Sequence, residues 1–361
     1  MVLVVTMRVC CLENSMNRVL LTGATGFIGS HVAELFSKEN IPIKCMVRPT
    51  ADLSFLNHLN VETCVGDITD YEPLEEAMQD IDFVIHTAGK SSDWGKHSDF
   101  YNSNVIGTLN ILKACKSKSI SNIIITGSIS SYGEENSKQI KNEDSPFNSH
   151  YPYFLDRIFP SAMNHYRDTK AILTKEAVKF AEENSLNLTV LEPAWVYGER
   201  EFNTGFFEYL KSVQDGMKFA PGSKFNKFHV IYAADLSEAY LTAFRKKLTG
   251  INRVIIGNPT ADKLNEIHSL FCESAKLKPP KLLPKFILYP IGFWMELFST
   301  IFHKKNPPLL TRSRVNMMYD SFEFSTEKAK RILGFVAGTA LKDGVFQTVK
   351  WYKDNGYLEE K

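Results

Sequence analysis

The sequence predicts a doubly wound α/β fold, a parallel sheet with helices on both faces, joined to a smaller C-terminal lobe of mixed structure. Three observations carry this reading. Short apolar runs at 19–21, 43–47, 61–65, 83–86, 123–126 and 188–191 have no polar face, as expected of strands buried in a parallel sheet. Helical stretches at 28–38, 74–78, 105–116 and 166–183 fall between them, and repeated strand–helix–strand alternation specifies parallel pairing. After about residue 193 the alternation loosens into short elements and loops, which suits a second lobe grafted on the sheet.

The chain has 361 residues, enough for about two domains at roughly 150 residues each. With 44% apolar and 23% charged residues it is globular in composition, which excludes wholesale disorder. Forty-two basic residues against 41 acidic ones leave a net charge of +1, so no polyanion is advertised and no nucleic-acid partner is expected. The six cysteines form no CxxC pair and the nine histidines no HxxH or HExxH. No metal site is expected, and the thiols read as reduced in a cytoplasmic protein. The apolar run 1–5 is too short for a signal peptide core, and no A-x-A cleavage site follows it. Met16-Asn17-Arg18 leads straight into the first strand, so residues 1–15 read as a poorly ordered or mis-assigned extension.

The first strand runs into Thr22-Gly23-Ala24-Thr25-Gly26-Phe27-Ile28-Gly29 and then a helix. Gly23 suits the tight turn, Gly26 leaves room for a pyrophosphate against the backbone, and Gly29 lets the helix pack on the strand. The helix N-terminus turns free N–H groups and a positive dipole end towards the phosphates. This G-x-x-G-x-x-G spacing with a leading threonine resembles the short-chain dehydrogenase/reductase superfamily. The resemblance implies a Rossmann domain over 16–192, with a return segment near 228–257, and a substrate lobe over most of 193–361. It also implies cofactor contacts from Thr25, Phe27 and Ile28 beside the glycines.

Further stretches extend the resemblance. Gly66-Asp67-Ile68 looks like the family's adenine-contacting segment, although Asp67 also reads as a turn or capping aspartate. His86-Thr87-Ala88-Gly89 resembles its small-residue cofactor loop, and Asn104-Val105-Ile106-Gly107-Thr108 its N-x-x-G-T helix. At the end of the second strand stands Arg48, where NAD-selective relatives usually place an acid for the ribose 2′-OH. A guanidinium fork suits a phosphate, which favours NADP over NAD; a solvated arginine in an NAD enzyme is the other reading.

Tyr166-Arg167-Asp168-Thr169-Lys170 is a Y-x-x-x-K pair, which places the phenol and the ammonium on one helical face. A tyrosine of pKa ~10 is a poor base at neutral pH, and an adjacent cation favours its phenolate. Lowering that pKa by about three corresponds to roughly 4 kcal/mol. The segment 123–133, IIITGSISSYG, resembles the strand and S-S-x-x-x-Y-G turn of the extended branch. Ser128 lies four residues before Tyr132 and is the candidate hydroxyl, with Ser130 and Thr126 as fallbacks. Asn104 is assigned, by resemblance alone, the upkeep of helix geometry and a water-linked proton path to Lys170.

Two later stretches also match the extended branch. Pro193-Ala194-Trp195-Val196-Tyr197-Gly198 resembles the R-P-x-x-x-Y-G loop beside the nicotinamide, with Pro193 and Val196 as contacts and Glu192 in place of the usual arginine. His229 to Leu236 resembles its V-x-V-x-D-L helix start, with Asp235 read as an N-cap. The family's oxidoreductases of the 3β-hydroxysteroid and dihydroflavonol type act on hydrophobic alcohols or ketones. Its nucleotide-sugar epimerases and dehydratases use the same residues on polar diphosphates, and a few relatives are silent dinucleotide-binding regulators that have lost the tyrosine or lysine.

The segment 283–302, LPKFILYPIGFWMELFSTIF, tilts the expectation to a hydrophobic substrate. A proline and an acid interrupt barely 20 residues, so a spanning helix is marginal and an amphipathic lid or interfacial helix fits better. That reading brings peripheral membrane contact; an ordinary buried helix is the alternative. Arg312 and Arg314 read either as a clamp for a diphosphate or carboxylate or as surface arginines. By fold analogy the helices at 105–116 and 166–183 suggest a homodimer.

Overall fold

The computed structural model describes residues 17–133, 139–202 and 205–359; the extension expected at 1–15 lies outside the described residues. The first half runs β1 (Val19–Thr22), α1 (Phe27–Lys38), β2 (Ile43–Val47), β3 (Glu62–Val65), α2 (Tyr71–Ala77), β4 (Phe83–His86), α3 (His97–Phe100), α4 (Gly107–Ser117), β5 (Asn122–Thr126), α5 (Ala162–Glu183) and β6 (Asn187–Pro193). The second half begins with β7 (Trp195–Tyr197), α6 (Phe206–Gln214), β8 (Phe219–Pro221), β9 (Lys227–Phe228), β10 (Val230–Tyr232), α7 (Ala233–Lys246) and β11 (Ile251–Ile256). It continues with β12 (Asp262–Lys263), α8 (Leu264–Ala275), β13 (Lys281–Leu283), α9 (Lys285–Ile301), α10 (Arg312–Met317) and α11 (Leu341–Asp354).

Seven strands form one parallel sheet in the order β11-β6-β5-β4-β1-β2-β3. The chain winds outward from β1 to β3, then returns to β4 on the other side of β1. Crossovers therefore leave in opposite directions at the β1/β4 junction, and a cleft opens beyond the carboxyl ends of these two strands. Side chains alternate between the two faces. Leu21 and Ile85 pack with Val32 and Phe36 of α1 and Tyr240 of α7, while Leu20 and Val84 pack with Ile111 of α4 and Ala177 of α5.

The third predicted strand departs from the expectation of burial on both faces. β3 is the sheet edge, and Glu62, Thr63 and Val65 are exposed. Glu62 and Thr63 are polar within it and lie exposed, as suits an edge and not a central position. The helix expected from 105 begins regularly at Gly107 and is preceded by a wide π-helical turn, Tyr101–Ile106, of the kind that often marks functional sites. Asp235 is not an N-cap either. The cap position of α7 is Tyr232, and Asp235 lies in the first turn, where its carboxylate accepts from the Thr339 N–H (3.0 Å) and hydroxyl (2.8 Å).

α9 settles the reading of the 283–302 segment. Its buried residues are Leu288, Gly292, Glu296 and Ser299, one stripe at helical spacing that faces α10. Gly292 permits this approach, because a Cβ there would lie 3.0 Å from the Thr311 carbonyl oxygen. The opposite face leaves Phe286, Ile287, Ile291, Trp294, Phe298 and Ile301 exposed, with Trp294 at 54%. The segment is thus an amphipathic surface helix and not buried core. Among the described residues no helix is long and apolar enough to cross a membrane.

Candidate active site

The cleft at the β1/β4 junction is a cavity of about 1100 Å³ that continues between the sheet and the second lobe. It is lined by Gly23, Thr25, Gly26, Phe27, Ile28 and Gly29 of the first turn, by Arg48, Asp67 and Ile68, and by Thr87, Ala88 and Gly89. Ser128, Tyr166, Lys170, Pro193 and Val196 complete the set, so every candidate except Asn104 reaches it.

The glycine turn is tight for a physical reason. Gly23 has φ +81°, and a Cβ there would fall 2.6 Å from the Ala88 nitrogen; one on Gly29 would fall 2.1 Å from the Gly23 carbonyl oxygen. Neither position tolerates a side chain. Gly26 is less crowded, since its Cβ would sit 3.2 Å from Gly23 O, so the space it leaves opens at the N-terminus of α1. That bare cradle beside a helix dipole fits a dinucleotide pyrophosphate.

At the end of β4, buried His86 bridges Thr22 Oγ1 (2.6 Å) and Thr108 Oγ1 (3.0 Å), and burial drives its pKa down to about 3, so the ring stays neutral. Asp67 Oδ1 accepts from the Thr69 N–H (2.9 Å) and hydroxyl (2.8 Å), so it shapes a turn and also lines the cavity. Exposed Arg48 has no ion-pair partner among the described residues.

At the reacting end, the phenol of Tyr166 donates to Ser128 Oγ at 3.4 Å, and Ser128 and Ser130 hydroxyls lie 2.8 Å apart. Lys170 Nζ donates to the Thr126 carbonyl (2.9 Å). An adjacent cation would lower the pKa of the tyrosine. Here burial prevails: it pushes the Tyr166 phenol above its ordinary value, against hydrogen bonds from Ser128 and Ser130, and lowers Lys170 to about 8. Asn104, in the π-helical turn, accepts from the Lys90 N–H (2.7 Å) and donates to Lys90 O (3.2 Å) and Thr169 Oγ1 (3.1 Å). It ties the Gly89–Lys90 loop to α5 without reaching the cavity.

Several site features escaped the sequence. Glu192 is fully buried, accepts from the Tyr132 phenol (2.5 Å) and is paired with Arg253 (3.1 Å), which anchors the start of the Pro193–Gly198 loop. Arg312 is neither a clamp nor a surface residue. It is fully buried, pairs with Glu296 (2.8 and 2.9 Å) and donates to the carbonyls of Phe154 (2.5 Å) and Phe159 (2.9 Å). Arg314 does line the cavity, but Asp93 (3.2 Å) and Glu208 (3.3 Å) hold it. Asp93 and Arg314 are 221 residues apart, so no local pattern announces them.

The fold and its cleft define a dinucleotide-dependent oxidoreductase, and Ser128, Tyr166 and Lys170 lie together on the cleft wall. Residues 19–257 match the model of the NAD dependent epimerase/dehydratase family, and the chain belongs to that family. Its cofactor is NAD or NADP. Among curated proteins the chain is 24% identical to the 2-alkyl-3-oxoalkanoate reductase of Shewanella oneidensis, over 92% of this chain and 86% of that one. It is 25% identical to the decarboxylating sterol-4-alpha-carboxylate 3-dehydrogenase of Saccharomyces cerevisiae, over 94% and 98%. Among solved structures, the UDP-glucose 4-epimerase of Thermotoga maritima with UDP-glucose matches at TM-score 0.73 and 21% identity, over 94% of this chain and 99% of that one.

Proposed function

We propose that the protein interconverts a secondary alcohol and a ketone on a hydrophobic substrate. The observation that carries this is the second-lobe wall of the cavity. Leu288, Leu309, Leu310, Met317, Met318 and Phe219 supply apolar surface there, while Arg314 is held by two carboxylates and Arg312 is buried elsewhere. Among the described residues no free cation remains on that wall to grip a diphosphate, and unpaired phosphate charge beside Asp93 and Glu208 would be repelled. The names of the two curated relatives, an alkyl-oxoalkanoate reductase and a sterol carboxylate dehydrogenase, agree with this reading.

In the reaction, Ser128 Oγ and the Tyr166 phenol hold the substrate oxygen. Tyr166 gives its proton to that oxygen in reduction and receives it in oxidation. Its raised pKa keeps the phenol protonated at neutral pH, the form that donates in reduction, whereas oxidation requires the phenol first to lose its proton; Lys170, near 8, keeps its charge there. Bound NAD(P) supplies or accepts the hydride. Asn104 acts as a positioning residue for the Gly89–Lys90 loop. A panel of hydroxysteroids and β-keto acids against UDP- and dTDP-sugars, read at the nicotinamide absorbance, tests the reading. Turnover is expected in the first group; turnover of a nucleotide sugar alone would replace it with the epimerase or dehydratase reading.

Arg48 carries the choice of cofactor in this proposal. Arg48→Asp exchanges a phosphate fork for a ribose acceptor, so NADP binding should fall by tenfold or more while NAD binding holds or improves. Equal loss of both, measured by titration, would make Arg48 structural.

The exposed face of α9 is the proposed membrane contact. Its aromatic residues are flanked by Lys285 and by Lys304 and Lys305, and its one acid, Glu296, is buried. Such a face suits an anionic bilayer surface. Replacing Phe286, Trp294 and Phe298 together by serine should abolish co-sedimentation with phosphatidylserine-containing vesicles. Melting should barely change, because exposed side chains contribute little to folding. A large fall in melting temperature would show that the face is covered within the protein itself.

A further inference from the structure

The second-lobe wall of the cavity holds a histidine that neither hydride transfer nor the fold employs. His268, on α8, is 7% exposed and lines the cavity, yet its ring nitrogens have no hydrogen-bond partner among the described residues. Tyr209 of α6 stacks on it, with ring centroids 4.0 Å apart and planes within 13°, and Phe206 meets it edge-on at 5.6 Å. Stacking fixes the plane of the ring and leaves its edge, where both nitrogens lie, as the part able to bond. Burial holds the imidazole uncharged, with a pKa near 3, so one nitrogen donates and the other accepts.

The neighbouring polar groups on that wall are also neutral. The Tyr209 phenol meets only the Cys272 thiol, at 3.9 Å, and the Ser212 hydroxyl lies one turn further along α6; both residues line the cavity. Of the two charges on this helix, Glu208 is engaged with Arg314 and Lys211 with Asp215. Neither ring nitrogen is among the fully buried unpaired atoms, so the polar edge of His268 opens on the cavity, where a group of a bound molecule can meet it.

We propose that His268, with Tyr209 and Ser212 beside it, binds an uncharged oxygen of the substrate, a hydroxyl or a ketone, distinct from the reacting one. The substrate is then a lipophilic molecule oxygenated at two separate positions: one meets Ser128 and Tyr166 on the sheet wall, the other His268 on the second-lobe wall. This rests on the hydrophobic-substrate reading and refines it.

The test compares two probes, 5α-androstan-3β-ol and 5α-androstane-3β,17β-diol, on the full chain loaded with cofactor. Dissociation constants and kcat/KM are measured for the wild type, for His268→Phe, which keeps the stacking, and for His268→Gln, which keeps a donor and an acceptor. The wild type should prefer the diol by about tenfold or more, because a site built to hydrogen-bond a hydroxyl discriminates against its absence. His268→Phe should bring the ratio close to one, and His268→Gln should retain part of it. Equal handling of the two probes by the wild type, or an unchanged ratio in His268→Phe, would overturn the assignment while leaving the hydrophobic-substrate reading intact. If neither probe is bound or turned over, that reading falls and the assignment falls with it.

Discussion

Tyr166→Phe should lower turnover by about 10²–10⁴-fold, the usual loss when a positioned proton donor is removed, and leave cofactor affinity nearly unchanged. The ring still fills its place, and only the hydroxyl that contacts Ser128 is lost. Lys170→Ala should differ in kind. It removes a cation that lines the cofactor cleft and a bond to the Thr126 carbonyl, so both cofactor affinity and turnover should fall. Nicotinamide titration separates the two outcomes from steady-state rates. Near-normal turnover in Tyr166→Phe would refute the proton-transfer role, and unchanged cofactor affinity in Lys170→Ala would limit the lysine to the substrate side.

The second large effect is on stability. Arg312 and Glu296 are paired with almost no exposure, and the same guanidinium holds the carbonyls of Phe154 and Phe159. Arg312→Leu strands a buried carboxylate and two carbonyls, which should cost about 3–5 kcal/mol. For a chain of this size that corresponds to a melting temperature lower by roughly 4–7 °C. The double change Glu296→Met with Arg312→Leu should recover much of the loss, because the charge to be buried is gone with its partner. A single variant that melts with the wild type would show that the pair does not hold α9 and α10 together.

The glycine turn, the tyrosine and lysine and most of the sheet were legible in the sequence because each is encoded at short range. A tight turn between strand and helix needs Gly23 and Gly29 whatever packs around it, since their missing Cβ atoms would strike backbone. An i, i+4 pair on a helix shares a face by geometry alone. The exposed strand β3 was misread because its place at the sheet edge is set by which strands pair with it, although Glu62 and Thr63 are polar. Asp235 was misread because an aspartate near a helix start is the same letter at the cap or one turn inside.

By itself the sequence determined the doubly wound fold and the glycine turn, and it singled out Ser128, Tyr166 and Lys170, which the fold brings to one cavity. The tertiary structure alone decided the substrate side. Whether Arg312 and Arg314 are free to grip an anion depends on Glu296, Asp93 and Glu208, which topology brings to them. Which face of α9 is hidden could not be read from hydropathy, because the buried stripe contains Gly292, Glu296 and Ser299 while the aromatic residues stay outside. Close approach of α10 at Gly292 and a partner for a buried acid chose that face. The physical reason is general to the molecule: local patterns fix backbone geometry, but the state of a charge or a polar edge depends on what distant chain segments place within 3 Å of it.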